Sequence, residues 1–277
     1  MKTIKVGNLE VGNDKPFVLI AGLNVLEDDE TIKDVIEECI RLTKKYDIPY
    51  IFKASYDKAN RSSIDSYRGP GVEKGLKKLL ELKKDYKVPL ISDIHKPEEA
   101  ELASNVLDII QIPAFLSRQT DLIEAACSTS LPINIKKGQF LSPDQMKNII
   151  EKCFNFGNDQ VMLCERGTSF GYDNLVVDML GISKLKTFKC PIIFDVTHSL
   201  QLPGGLGSAT GGRREHVLSL AKAGISQSIA GLFLEAHPNP DEAKCDGPCA
   251  ISSDEISKVL NQLVALDEFI KNQFRAD

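Results

Sequence analysis

The chain has 277 residues, 42% hydrophobic and 26% charged, with 34 basic against 39 acidic side chains and a formal net charge of −5. A composition so near the globular average excludes disorder, collagen and coiled coil. The acidic balance excludes a general nucleic-acid binder, although a small pocket can still be strongly positive inside an acidic protein.

In chain order, KTIKVGNLEVGN alternates apolar and polar residues around Gly7-Asn8 and predicts a hairpin over residues 1–13. Lys2, Lys5 and Lys15 precede the apolar run at 17–26, but Glu10, Asp14 and Asn24 spoil a signal-peptide pattern, and a strand followed by a loop fits better. Further strands are expected at 50–54, 89–94, 107–112, 132–137, 160–165, 191–196 and 228–236, after a first at 17–21. Helices are expected at about 29–45, 71–86, 97–105, 117–129, 143–156, 174–188, 213–224 and 253–274. Eight strands, each followed by a helix, is the count of a (β/α)8 TIM barrel capped by the N-terminal β-hairpin. A doubly wound sheet would need a Gly-rich turn after its first strand, and AGLNVLED at 21–28 supplies none. No linker divides the chain, so one domain over 1–277 is expected. No apolar run approaches the ~20 residues that cross a bilayer. The seven cysteines (39, 127, 153, 164, 190, 245 and 249) lack metal-site spacing and mostly sit in apolar stretches. A soluble, reduced, cytoplasmic protein with no membrane partner is the reading.

The connections at 53–71, 197–212 and 236–253 are long and carry unusual residues. A barrel gathers them at its C-terminal face, where active sites form. Polar groups stand where strands run out: Lys53, Asp93, Gln111, Lys136, Arg166, His198 and Glu235. One such ending is ordinary solvation, whereas seven together describe a polar cup. Its cations, Lys53, Lys58, Arg61, Lys136 and Arg166, point to a ligand with more than one anionic group. Asn60, Arg61 and Ser62 gather donors suited to a phosphate. His198, Glu235 and Asp246 are metal-ligand types, yet a soft divalent metal would want a further thiolate. His95, His216 and His237 have no supporting pattern and read as structural or loop residues.

KASYDKANRSSIDSYRGPG, PAFLSRQTDL, FGYDNLVVDMLG, FDVTHSLQLPGG and EAHPNPDEAKCDGP, in this order, closely resemble the 3-deoxy-D-manno-octulosonate 8-phosphate synthase family. The similarity runs from the first strand to about residue 250. It implies condensation of phosphoenolpyruvate with D-arabinose 5-phosphate and water, giving the eight-carbon keto-acid sugar phosphate and inorganic phosphate. That sugar enters lipopolysaccharide in Gram-negative bacteria and a pectin in plants. The resemblance also implies a homotetrameric TIM barrel. It assigns Lys136, Arg166, Lys58, Ser55, Gln111 and Ala114 to phosphoenolpyruvate. Asn60, Arg61 and Ser62, with Arg118 from a neighbouring subunit, fall to the sugar's phosphate, and Lys53, Asp93, His198 and Gln201 to the sugar's path. Asn24, Lys58, His198, Glu235 and Asp246 are the expected catalytic group, with His198 and Asp246 positioning the water that adds to phosphoenolpyruvate. The family has a metal-dependent type, in which a cysteine after the first strand completes a site with equivalents of His198, Glu235 and Asp246. Asn24 holds that place here, so the metal-independent type, with no cofactor, is expected. A sister synthase using erythrose 4-phosphate fits the KANRSS stretch less well. A Schiff-base aldolase using Lys136 or Lys53 would need a desolvated lysine, against the crowd of cations.

Overall fold

The structure is a computed structural model that describes residues 2–204 and 211–273. Strands β1 (Ile4–Val6) and β2 (Leu9–Val11) form the hairpin. The barrel strands begin with β3 (Val18–Val25), β4 (Tyr50–Ser55), β5 (Leu90–Asp93), β6 (Ile109–Ile112), β7 (Ile133–Lys136) and β8 (Val161–Glu165). A two-residue ribbon, β9 (Thr168–Ser169) with β10 (Leu175–Val176), precedes β11 (Ile192–Asp195). A second ribbon, β12 (Gln201–Leu202) with β13 (Gly211–Gly212), precedes β14 (Gly231–Glu235). Strands β3, β4, β5, β6, β7, β8, β11 and β14 are parallel and close into a barrel in that order, β14 returning to β3. The helices are α1 (Asp29–Tyr46), α2 (Val72–Tyr86), α3 (Glu99–Ser104), α4 (Thr120–Ser128), α5 (Met146–Asn155), α6 (Met179–Lys186), α7 (Val196–Ser199), α8 (Val217–Ile225) and α9 (Ser253–Gln273). This is the (β/α)8 barrel with its hairpin cap that the alternating pattern predicts.

Period-two alternation within the strands divides the core in two. Val18, Ile20, Ile51, Ile91, Ile109, Met162, Ile193 and Phe233 fill the barrel interior, joined by Ile4, Val6 and Val11 of the hairpin. The opposite faces, Leu19, Phe52, Leu90, Ile110 and Ile133 among them, pack against apolar stripes of the helices, such as Ile32, Val35, Ile36, Cys39 and Leu42 of α1. The hairpin therefore plugs the N-terminal mouth and leaves the strands' C-terminal ends open. Local chemistry sets the helix limits. Asp28 accepts the Thr31 N–H at 3.0 Å and starts α1, while Asp47, at φ 53°, ends it in the left-handed conformation. All seven cysteines are free and buried, as their apolar settings suggest.

Two segments differ from expectation. The helix expected from 174 begins only at Met179, because a turn with positive φ at Gly171 and Asp173 folds β10 back on to β9. The one-turn α7 directly follows β11, started by the Asp195 carboxylate, which accepts the His198 N–H at 3.0 Å. Residues 205–210 of the long loop after β11, Met1 and residue 274 of the last expected helix lie outside the described residues.

One irregularity shapes the site. The β3–β4 register shifts between Gly22 and Val25. At Gly22 the backbones approach so closely that a Cβ would fall 2.0 Å from the Lys53 carbonyl oxygen. Only glycine fits there. The bulge turns the Leu23 and Asn24 carbonyls toward the Lys53 ammonium, at 3.3 and 2.9 Å.

Candidate active site

At the C-terminal ends of the strands lies a cavity of about 300 Å³. Its wall includes Lys58, Asn60, Arg61, Ser62, Asp93, Gln111, Ala114, Lys136, Arg166, His198, Gln201 and Asp246, all anticipated from the sequence. They arrive from seven strand ends and the loops that follow them, which is how a barrel assembles a site from distant residues.

The remaining anticipated residues lie elsewhere. Lys53 stands behind the wall, its ammonium bonded to Glu235 at 2.9 Å and to the Leu23 and Asn24 carbonyls. Burial lowers it to about 8 despite Glu235. It does not line the cavity, and all three of its donors are engaged within the protein. Ser55 donates its hydroxyl to Asp93 from behind. Asn24 donates its amide to Asp246 Oδ2 at 2.5 Å and to the Cys245 thiol at 3.3 Å. Arg118 is exposed and does not line the cavity of its own chain.

The cavity is strongly cationic. Lys58 is charged: burial would lower it, but Asp93, Cys245, Glu235 and Asp246 raise it above the ordinary lysine value. Lys136 contacts Asp195 and sits 3.7 Å over the Phe233 ring. Arg166 donates one Nη2 hydrogen bond to Gln201 at 2.6 Å, while its buried Nη1 has no partner. Arg61 donates to the Cys245 thiol, and its buried Nε is likewise unpartnered. Guanidinium donors left unsatisfied inside a protein are costly, and an oxyanion is the natural acceptor.

A second cluster faces these cations. His198 Nδ1 lies 2.8 Å from Asp195 Oδ2, and its Nε2 stands 3.7 Å from Glu235 and 3.8 Å from Asp246. Burial lowers the imidazole below its ordinary value, although Asp195 opposes this. Nδ1 makes no hydrogen bond despite this approach to Asp195, so the pair is an electrostatic contact. Asp246 is lowered despite burial, by His198, Lys58 and the Asn24 amide.

The sequence reading passed over several residues. Asp195 is fully buried and joins Lys136 to His198. It stands one residue before the end of PIIFDV, as Asp93 does in PLISDI, but the sequence reading takes His198 as the polar residue of that strand. Gln139 and Cys245 also line the cavity. Glu165, behind the wall, accepts the Arg166 and Gly167 N–H groups at 3.0 and 2.6 Å and faces Lys137 at 3.4 Å, fixing the backbone that carries Arg166. No spacing in the sequence marks Glu165 or Gln139, since only the closed barrel brings them to the site.

Among the described residues, no helix is long and apolar enough to cross a membrane. Residues 2–272 match the model of the DAHP synthetase I family. The chain is 60% identical over 271 residues to the 2-dehydro-3-deoxyphosphooctonate aldolase of Pseudomonas savastanoi pv. phaseolicola, covering 98% of this chain and 96% of that one. It is 59% identical, with the same coverage, to 2-dehydro-3-deoxyphosphooctonate aldolase of Pseudomonas syringae pv. syringae and to 2-dehydro-3-deoxyphosphooctonate aldolase 1 of Pseudomonas putida. With the barrel, the cationic cavity and these relatives together, the chain belongs to the DAHP synthetase I family, among its 2-dehydro-3-deoxyphosphooctonate aldolases.

Proposed function

We propose that this chain condenses phosphoenolpyruvate with D-arabinose 5-phosphate and water, forming 3-deoxy-D-manno-octulosonate 8-phosphate and inorganic phosphate. The observation that carries this reading is the cavity's unsatisfied cationic donors, above all the buried Arg166 Nη1. Two multiply charged anions must be brought carbon to carbon, and preorganised cations offset their repulsion. Lys136, Arg166 and Lys58, with Gln111 and Ala114, hold phosphoenolpyruvate, and Ser55 acts through Asp93. Asn60, Arg61 and Ser62 hold the sugar's phosphate, while Asp93, His198 and Gln201 line the sugar's path.

In the reaction, C3 of phosphoenolpyruvate bonds to the aldehyde carbon, whose oxygen takes up a proton; water adds at C2 and gives up its protons, and the C2–O bond then breaks, its electron pair leaving with phosphate as C2 becomes the keto carbon. His198, with Nε2 beside Glu235 and Asp246, is placed to orient that water and accept its proton. Asp195 accepts the His198 main-chain N–H and so holds the residue in place.

A divalent metal does not fit this donor set. Asn24 directs its amide N–H at Asp246 Oδ2, so a donor hydrogen stands where the metal-dependent type has a thiolate lone pair. We read this exchange as the mark of the metal-independent type, working without a cofactor. A lysine Schiff base is disfavoured because both candidate ammonium groups are ion-paired, Lys53 with Glu235 and Lys136 with Asp195.

The reading extends to a cytoplasmic homotetramer of single-domain chains over 1–277, with no nucleic-acid or membrane partner, in which Arg118 reaches a neighbouring cavity. Supporting it, Phe115, Phe140 and Phe170 are exposed on loops at the C-terminal end of the barrel, apolar surface that a second copy would cover. The decisive experiment measures phosphate release from phosphoenolpyruvate with arabinose 5-phosphate and with erythrose 4-phosphate, before and after a strong chelator. Turnover of the pentose phosphate that survives chelation is expected. Preference for erythrose 4-phosphate, or near-complete loss restored by a divalent metal, would overturn the substrate or the metal assignment respectively.

A further inference from the structure

His95 follows β5 and lies just behind the cavity wall. Both edges of its ring face carboxylates: Nε2 is 3.2 Å from Asp93 Oδ2 and Nδ1 is 3.6 Å from Glu99 Oε2. Glu99 is itself anchored, since the same Oε2 accepts the Tyr56 hydroxyl at 2.7 Å and the His95 main-chain N–H at 2.8 Å. The buried Tyr56 ring meets the imidazole edge-on, with centroids 6.0 Å apart. On the inner side, Asp93 lines the cavity, accepts the Ser55 hydroxyl and faces Lys58 and Lys53. A neutral imidazole has one lone pair, and either tautomer would turn it toward a carboxylate. Nε2 is hydrogen-bonded to Asp93, whereas Nδ1 makes no hydrogen bond and stands at ion-pair distance from Glu99, so a charged ring is the state attracted to both carboxylates.

We propose that His95 is a positioning residue: an imidazolium clamped between Glu99 and Asp93 that fixes the Asp93 carboxylate at the cavity wall. This rests on the condensation proposed above, in which Asp93 lines the sugar's path. Without the clamp, Asp93 is drawn on to Lys58 and masks a cation that the anionic substrates need.

The charge balance agrees with the geometry. Burial alone would push the ring down, but Asp93 and Glu99 outweigh it and raise His95 to about 9. Asp93 is held well below the usual carboxylate range, because Lys58, His95 and Lys53 together outweigh its burial. The groups facing the ring are thus Asp93 from β5, Glu99 from α3 and the Tyr56 hydroxyl after β4. Lys58 and Lys53 stand beyond Asp93, and Asp57 acts on Tyr56 from the far side.

Two measurements test the role. Nitrogen NMR of labelled histidine side chains in the full-length free protein is expected to find both His95 ring nitrogens protonated at neutral pH, with the missing resonance in His95→Gln giving the assignment. In kinetics, His95→Gln is expected to lose about tenfold in kcat/KM for arabinose 5-phosphate, the worth of one charged hydrogen bond. Glu99→Gln, which leaves the histidine in place, is expected to move the alkaline inflection of that parameter down by about one unit. A neutral ring at neutral pH, or an alkaline limb identical in the wild type, His95→Gln and Glu99→Gln, would overturn the proposal. Ring protonation is read without substrate, so an unaltered protein that fails to turn over counts against the condensation, whereas an active protein with a neutral ring counts against His95 alone.

Discussion

Arg166 and Asp195 occupy opposite ends of the same hydrogen-bond logic. Arg166 has a buried donor waiting for a ligand, whereas Asp195 is fully engaged with the protein and reaches substrate only through Lys136 and His198. Arg166→Ala is therefore expected to raise KM for phosphoenolpyruvate, lowering kcat/KM about a hundredfold, with Arg166→Lys recovering only part because a point charge replaces a fork. Asp195→Asn is expected to lower kcat about tenfold or more while leaving phosphoenolpyruvate binding less affected. Steady-state kinetics with each substrate varied separates the two patterns. Asn24→Cys removes the amide N–H that Asp246 accepts and supplies a thiol, so it is expected to raise zinc content on metal analysis. An unchanged content would sink the comparison with the metal-dependent type. His95 also carries a stability consequence. Its folded value, about 9, lies above its ordinary 6.5, so its contribution is complete below about 6.5 and lost as pH climbs through about 9. Thermal melts across that window are expected to fall less steeply for His95→Gln than for the wild type.

Among the elements, the β3 bulge matters more than any helix. Gly22 allows the close approach to β4, and the displaced carbonyls hold Lys53, which in turn fixes Glu235 beneath His198. Gly22→Ala is expected to cost about 3 kcal/mol, because the clash is with backbone that cannot turn aside. It should also reduce activity, since Asn24 and Lys53 move together. Asp28→Ala removes only the α1 cap and is expected to cost about 1 kcal/mol with kinetics unchanged. Urea unfolding with parallel assays checks both. The elements also mark where patterning in the sequence reaches its limit. Alternation in Ile133-Asn134-Ile135-Lys136 correctly placed a strand with Lys136 at its end. The ribbon of β9 and β10 and the single turn of α7 were not legible, because positive-φ turns and a capping carboxylate set them rather than hydrophobic period.

At the scale of the whole molecule, the hairpin closes one mouth of the barrel and the loops furnish the other, so chemistry is confined to one end. Arg118 belongs to this scale, since it is exposed and outside its own cavity. If a neighbour's Arg118 completes the site, light scattering should give a tetramer, and Arg118→Ala should raise KM for arabinose 5-phosphate while sparing that for phosphoenolpyruvate. A monomer of full activity would refute this. By itself the sequence determined the barrel, through its alternation of short apolar runs with amphipathic helices. It also determined Lys136 and Arg166, because a charge at the end of a buried strand is conspicuous in one dimension, and Lys58 and Arg61 through their donor-rich loop. Only the tertiary structure decided what those charges do. Lys53 turned from the ligand to Glu235, Asp195 joined two residues it does not adjoin in sequence, and His95 came to lie between two carboxylates. Those roles depend on distances across a closed sheet, and burial sets the strength and sign of each charge there. Neither quantity is written in the order of residues.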